Sequence, residues 1–306
     1  MGEPVTNREA KLKSGKFPVD VPLVQRLIAR QFPQWADLPI RPVALDGWDN
    51  WTFHLGDRMK VRLPSAEGYA EQAEKESHWL PILAPHLPVD VPVPIAVGAP
   101  DEGFPWLWSI YQWIDGEPVT RSIDKLALAR DVAGFLNALM AIDPTGGPPP
   151  GQHSYLRGAD PMEAYGTEAR RFIDTLGDTI DTKAAHAVLD SAAESKVTTA
   201  VWAHGDIAVG NLLARDDRLS AVIDFGCSAV GDPSCDLVLA WVFLEGESRK
   251  AFRSLAAVDE ATWARGRAWA LWKAALLAST NQVTHPEENA ALDVLAAVIA
   301  DHRERA

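Results

Sequence analysis

Three short segments carry residues whose types and spacing suit metal-assisted chemistry: His204-Gly205-Asp206, Asn211, and Ile223-Asp224-Phe225-Gly226. Asp206 and Asn211 are five positions apart, and the stretch that follows reads as a hairpin turning at Asp216-Asp217. Such a hairpin folds Asp224 back beside them. Two carboxylates and an amide oxygen are hard donors of the kind Mg2+ takes, and Mg2+ held by so few protein ligands shares its coordination with a phosphate-bearing molecule. Phosphoryl transfer needs these parts: a metal to neutralise phosphates and a carboxylate to receive a hydroxyl proton. Each segment alone is weak, since His-Gly-Asp arises by chance and Asp-Phe-Gly can end an ordinary strand. In this order, with strand character at both sites, they point the same way.

Residues 1–113 read as an α+β lobe built on an antiparallel sheet. The first sixteen residues are polar and read as frayed. Apolar residues at helical spacing (Val21, Val24, Leu27, Ile28) predict a helix from Val21 to Phe32. RPVALDGWDNWTFHLG and DRMKVRLP read as a hairpin turning at Gly56-Asp57, its first strand interrupted near Asp46-Gly47. Tyr69 to Leu83 reads as a helix, and VPVPIAVGAP and PWLWSIYQWI as further strands. Residues 114–306 read as a larger helical lobe. Ser122 is the expected cap of a helix over 123–142. Further helices are expected over 161–176, 183–195, 235–253, 260–280 and 287–303, with one embedded hairpin.

The chain has 306 residues, 42 acidic and 29 basic, giving a net charge of −13. That balance excludes a nucleic-acid binder, which needs a basic surface to displace counterions, and suits a cationic small-molecule partner. Cys227 and Cys235 are too few for a disulfide scaffold or a four-cysteine zinc site, so they read as reduced thiols in a cytoplasmic protein. No apolar run is long enough for a membrane span, and no secretory signal opens the sequence. Gly2 and Thr6 fit a myristoylation pattern, but one so degenerate that it reads as a chance match. No protein partner is inferred.

HGDIAVGN, AVIDFG and VGDPSCDL together resemble the aminoglycoside phosphotransferase family, relatives of protein kinases and choline kinases. The resemblance runs from about Leu45 to the C-terminal helices. It implies a two-lobed protein-kinase-like fold, with Mg–ATP in the cleft between lobes and a small-molecule hydroxyl as acceptor. It implies Asp206 as catalytic base, Asn211 and Asp224 as Mg2+ ligands, and His204 as a brace of the catalytic loop. Asp236 reads either as a buried anchor of that loop or as a helix cap; Asp232 reads as a cap.

In the N-terminal lobe the family places a strand cation against a helix glutamate. Arg62 stands where Lys is usual, and Lys60 lies two residues away on the same strand face. Glu76 is the expected partner, with Glu74 and Glu71 as rivals. The loop over the phosphates is Asp46-Gly47-Trp48-Asp49-Asn50; its single glycine departs from G-x-G-x-x-G, and Asn50 matches an Asn frequent there. Tyr111-Gln112-Trp113-Ile114 reads as the lobe connector, whose backbone would meet the adenine, with Gln112 and Trp113 at its centre. Glu245, Glu247, Asp259 and Glu260 are candidates to line a cationic acceptor's pocket, each more simply a solvated charge. His153, His186, His285 and His302 show no metal-ligand spacing. The expected activity is ATP-dependent phosphorylation of an aminoglycoside or similar antibiotic. A metabolic kinase for an amino alcohol or sugar is the alternative, and a pseudokinase the remoter one.

Overall fold

The computed structural model describes residues 7–44 and 46–304. Gly2 and Thr6, and so the myristoylation pattern, lie outside them, as does Leu45. The chain divides into two units, Met1–Pro85 with Val91–Asp115 and His86–Asp90 with Gly116–Ala306.

In the first unit, helix α1 (Asn7–Lys13) corrects the expectation of a frayed start, because its Lys11 is fully buried. Helix α2 (Val21–Gln31) begins where Asp20 accepts from the Leu23 N–H at 2.9 Å, the usual way a helix satisfies an orphan amide. Its Leu23, Val24, Leu27 and Ile28 recur at helical spacing and enter the core. Strands β1 (Ile40–Pro42), β2 (Asn50–Leu55) and β3 (Met59–Pro64) follow, then helix α3 (Ala70–Leu83) and strands β4 (Pro94–Gly98) and β5 (Trp108–Gln112). They form one antiparallel sheet in the order β1-β2-β3-β5-β4. The expected interruption at Asp46-Gly47 is a full reversal: Ile40 pairs with Leu55 and Pro42 with Phe53, so the run is two strands.

Alternation along the strands sorts the two faces of this sheet. Trp51, Phe53, Leu55, Val61, Leu63, Trp108 and Ile110 join the α2 residues in one core. The other face carries Lys60, Arg62, Ser109 and Tyr111, held level by the pairs Lys60–Tyr111 and Arg62–Ser109.

The second unit holds strand β6 (Glu117–Pro118), helices α4 (Lys125–Met140), α5 (Pro161–Leu176) and α6 (Thr182–Glu194), and strands β7 (Val201–Ala203), β8 (Leu212–Arg215), β9 (Arg218–Val222) and β10 (Ala229–Gly231). Helices α7 (Leu239–Val242), α8 (Gly246–Leu255), α9 (Glu260–Ser279) and α10 (Ala291–Arg303) complete it. The cap of α4 is Asp124, not Ser122: its carboxylate accepts from the Leu126 and Ala127 amides at 2.9 and 3.1 Å. The single helix expected over 235–253 is a 3-10 turn (Pro233–Val238), the one-turn α7 and then α8. Helix α9 is buried on nearly all sides, with Trp263, Trp269, Leu271 and Ala275 in the core. Burial on all sides brings in charges that must be paired. Arg265 grips Asp232 through two nitrogens at 2.8 and 3.1 Å, and Arg267 meets Asp301 at 3.2 Å.

Strands β8 and β9 form the embedded hairpin. Asp216 and Asp217 both have positive φ (52° and 57°), the backbone of a tight turn whose twist matches its strands. Strand β6 adds to β8, and β7 pairs with β10. Among the described residues no helix is long and apolar enough to cross a membrane. Neither Cys227 nor Cys235 is in a disulfide.

Candidate active site

The hairpin positions the three residues singled out by spacing. Leu212 pairs with Val222, and the Ile223 N–H donates to Asn211 O at 2.9 Å, so Asp224 emerges beside Asn211. Asn211 Nδ2 donates to Asp206 twice at 3.0 Å, to its carbonyl and to Oδ2. With Nδ2 so assigned, Asn211 Oδ1 is the atom left for a cation. Asp224 sits in the left-handed region (φ 67°), a conformation an L-residue holds only where its surroundings enforce it. Asp206, Asn211 and Asp224 are all partly exposed. Two carboxylates and an amide oxygen fit Mg2+, a hard ion content with few protein oxygens. Among the described residues no group of three or more His, Cys, Asp or Glu forms a richer metal centre.

A buried frame holds this loop. Asp236 accepts from the His204 and Gly205 amides, both at 2.7 Å. Burial pushes the Asp236 carboxyl up to about 7, against the pull of those two N–H donors. His204 is fully buried; its Nδ1 accepts from the Asp206 N–H at 3.2 Å, which assigns the proton to Nε2, 3.2 Å from Ile223 O. The imidazole thus ties the residue before Asp224 to the backbone of Asp206. Phe225 packs against it at 4.5 Å. Gly205 has φ 86°, and a Cβ there would lie 2.4 Å from Cys227 O, so no other residue fits between the two loops.

In the first unit, Arg62 Nη1 lies 3.2 Å from Glu76 Oε2. Glu76 is 4% exposed, whereas Glu71 and Glu74 face solvent. Tyr111, which sequence reasoning placed only in the connector, donates its hydroxyl to Glu76 Oε2 at 2.8 Å. Burial first, then the Glu76 charge, raise the Tyr111 phenol far above its ordinary value, so it stays a neutral donor. Lys60 Nζ lies 5.5 Å from the Tyr111 ring centroid. Asn50 is buried at the start of β2 and Gln112 is exposed. The Trp113 N–H donates to Arg58 O at 2.7 Å.

Sequence comparison bears on the chemistry. The model of the phosphotransferase enzyme family matches residues 39–269. The chain belongs to that family. The phosphotransferase resembles the GDP complex of an aminoglycoside 2'-phosphotransferase-IIIa, with TM-score 0.64 and 17% identity over 93% of this chain and 100% of that one. It also resembles an aminoglycoside 2"-phosphotransferase-IIa in a ternary complex with streptomycin and ATP (TM-score 0.56, 17% identity, 94% and 97% covered). A macrolide 2'-phosphotransferase from Brachybacterium faecium gives TM-score 0.57 and 21% identity over 92% and 97% of the chains. No curated protein sequence matches it. The protein is a small-molecule phosphotransferase with a two-lobed, kinase-like α+β fold.

The four carboxylates considered for the phosphotransferase's acceptor already have partners. Glu245 meets Lys125 at 2.7 Å, Glu247 meets Lys250 at 2.9 Å, Glu260 meets Arg253 at 2.7 Å, and Asp259 caps α9. His285, which shows no metal-ligand spacing in sequence, has its Nε2 3.9 Å from where a Gly210 Cβ would sit, next to Asn211. The Glu287 N–H donates to His285 Nδ1 at 3.2 Å and turns the ring. Nothing in the spacing of the histidines could show this, because the contact joins positions far apart in the chain.

Proposed function

We propose that the enzyme moves the γ-phosphate of ATP to a hydroxyl of a cationic small molecule, with an aminoglycoside as the leading acceptor. The observation that carries the donor half is the Asp206–Asn211–Asp224 hairpin, which supplies a carboxylate and hard oxygen ligands from one local structure. Asp206 orients the acceptor hydroxyl and takes its proton. Asn211 and Asp224 would hold Mg2+, which when bound neutralises phosphate charge. Arg62, fixed by Glu76, binds the inner phosphates; a guanidinium can do so with two nitrogens. Lys60 shares its strand face as a second cation, Asn50 closes the phosphate loop, and the backbone of Gln112 and Trp113 lies along the base. His204 is fully buried, so its part is to position the loop. The acceptor half rests on family resemblance and the −13 charge.

A panel of ATP consumption against aminoglycosides, macrolides, choline and sugars tests the acceptor. Asp206→Ala should lower kcat at least ~10²-fold, the worth of a general base, with Mg–ATP still bound. Near-normal turnover in that variant refutes the role of Asp206. Asp224→Ala should weaken Mg–ATP binding itself, measured by calorimetry; unchanged affinity removes Asp224 from the metal.

A further inference from the structure

Residues 7–17 have no part in the reading above, yet they touch the Asp46–Asn50 loop at both ends and at its middle. Lys11 is 0% exposed. Its Nζ lies 2.6 Å from Asp46 Oδ2 and 2.7 Å from Asn50 O, bridging the first and last residues of the loop. The same ammonium stands 4.4 Å from the Trp51 ring centroid. Asp46 is fixed from two further sides: Asn7 Nδ2 donates to its carbonyl at 2.5 Å, and its Oδ1 accepts from the Thr52 N–H at 3.1 Å. At the middle of the loop, Lys16 lies 4.8 Å from the Trp48 ring and 4.0 Å from that of Tyr69. Ser65 completes the frame. Its Oγ donates to Trp48 O at 3.1 Å, its N–H donates to Asp49 O at 2.8 Å, and its own carbonyl accepts from the Phe17 N–H at 2.9 Å.

A buried ammonium is costly unless paired and hydrogen-bonded. A lysine that could reach solvent from a short terminal helix is instead spent on tying two loop ends together. The loop has a single glycine, so it lacks the backbone freedom that lets a glycine-rich loop mould itself to phosphates. A loop of this kind must be shaped in advance by contacts outside it, and preformed geometry is what charge-stabilising catalysis needs.

We propose that α1, through Lys11, is a positioning brace that holds the Asp46–Asn50 loop in the shape that receives the nucleotide's phosphates. The inference rests on the reading of that loop as the phosphate loop. Lys11 is a positioning residue: it is wholly enclosed and acts through Asp46 and the Asn50 carbonyl.

The test uses the full chain and measures binding of Mg–ATP and of adenosine by calorimetry. Lys11→Met keeps an unbranched stem over Trp51 and removes the ammonium. Expected is an Mg–ATP affinity about tenfold weaker, the scale of a lost hydrogen bond to a charged group, with adenosine affinity unchanged. Lys11→Arg should recover part of the loss. Lys13→Met, exposed on the same helix, should bind both ligands as the parent does. Should Lys11→Met fail to fold, Lys16→Met reads the same selectivity from the contact with Trp48. Equal weakening of ATP and adenosine, or a lowered Tm with unchanged ATP affinity, overturns the brace. Gly47→Val separates the two readings, because a Cβ at Gly47 meets nothing within 4 Å, so the added side chain changes the loop's open side without disturbing its packing. Weak ATP binding in Gly47→Val with normal binding in Lys11→Met refutes the brace and keeps the loop. Normal binding in both refutes the loop reading itself.

Discussion

Asp236 is the residue on which the geometry of the His204–Asp206 loop turns, and its two demands conflict. Two N–H donors call for a carboxylate, while complete burial favours the neutral acid and lifts its value from 3.8 to about 7. A carboxyl raised in the folded state binds its proton more tightly there than in the unfolded chain. The stability it contributes is therefore fully present below 3.8 and is lost as pH rises through about 7. Asp236→Asn is neutral at every pH and should be less stable than the parent in acid, since its NH2 opposes one donor. The gap in Tm should narrow between about pH 5 and about pH 8. A constant gap across that range shows that Asp236 does not titrate there. The same scale shows what a sequence can yield. Asp206, Asn211 and Asp224 were legible because one local hairpin joins them. The contacts of Tyr111, Lys11 and His285 were not, because each joins positions far apart in the chain and no spacing encodes it.

Among the elements, legibility followed the strength of local signals. Helix α5 starts at Pro161, where Asp160 and Pro161 mark it twice, and the expected bounds match. Ahead of α4 the cap expected at Ser122 falls instead two residues on, at Asp124, because both side chains can cap and only the backbone path decides between them. The apolar run Leu237–Leu244 suits a helix all through, so the break between α7 and α8 leaves no periodic trace. The reversal between β1 and β2 is hard to see for another reason: β1 is only three residues long, and one glycine marks the gap. The β8–β9 turn is the opposite case. Its two aspartates hold left-handed backbone, which costs an L-residue roughly 1–2 kcal/mol, and glycine at the second place of such turns is preferred. Asp217→Gly should stabilise by about 1 kcal/mol, or roughly 2–4 °C in Tm, with kcat unchanged. A lower Tm would mean that the Asp217 side chain contributes more than its backbone costs.

Across the whole molecule the net charge of −13 is the property that reaches beyond contact distance. The four carboxylates once considered for the acceptor each have a partner, which leaves the summed field as one source of attraction for a cation. Such a field is screened within about 8 Å at physiological ionic strength and about 3 Å at 1 M. For a polycationic acceptor, kcat/KM should fall steeply between low and high salt, while the KM for ATP, set by short contacts, changes less. An acceptor whose kcat/KM ignores salt removes the cationic reading and leaves the phosphotransferase intact.

The Arg265–Asp232 pair has a consequence for how this sequence can drift. Its side chains are 3% and 0% exposed, so neither charge can turn to water when the other is lost. Losing one partner of such a pair costs about 3–5 kcal/mol, a large share of the roughly 5–15 kcal/mol that keeps a domain folded. Single changes at either position therefore lead a lineage to the edge of unfolding, while a double change to well-packed apolar residues can be neutral. The two positions are inherited as one character. Descendants of this chain should carry both residues or neither, whatever acceptor they come to phosphorylate.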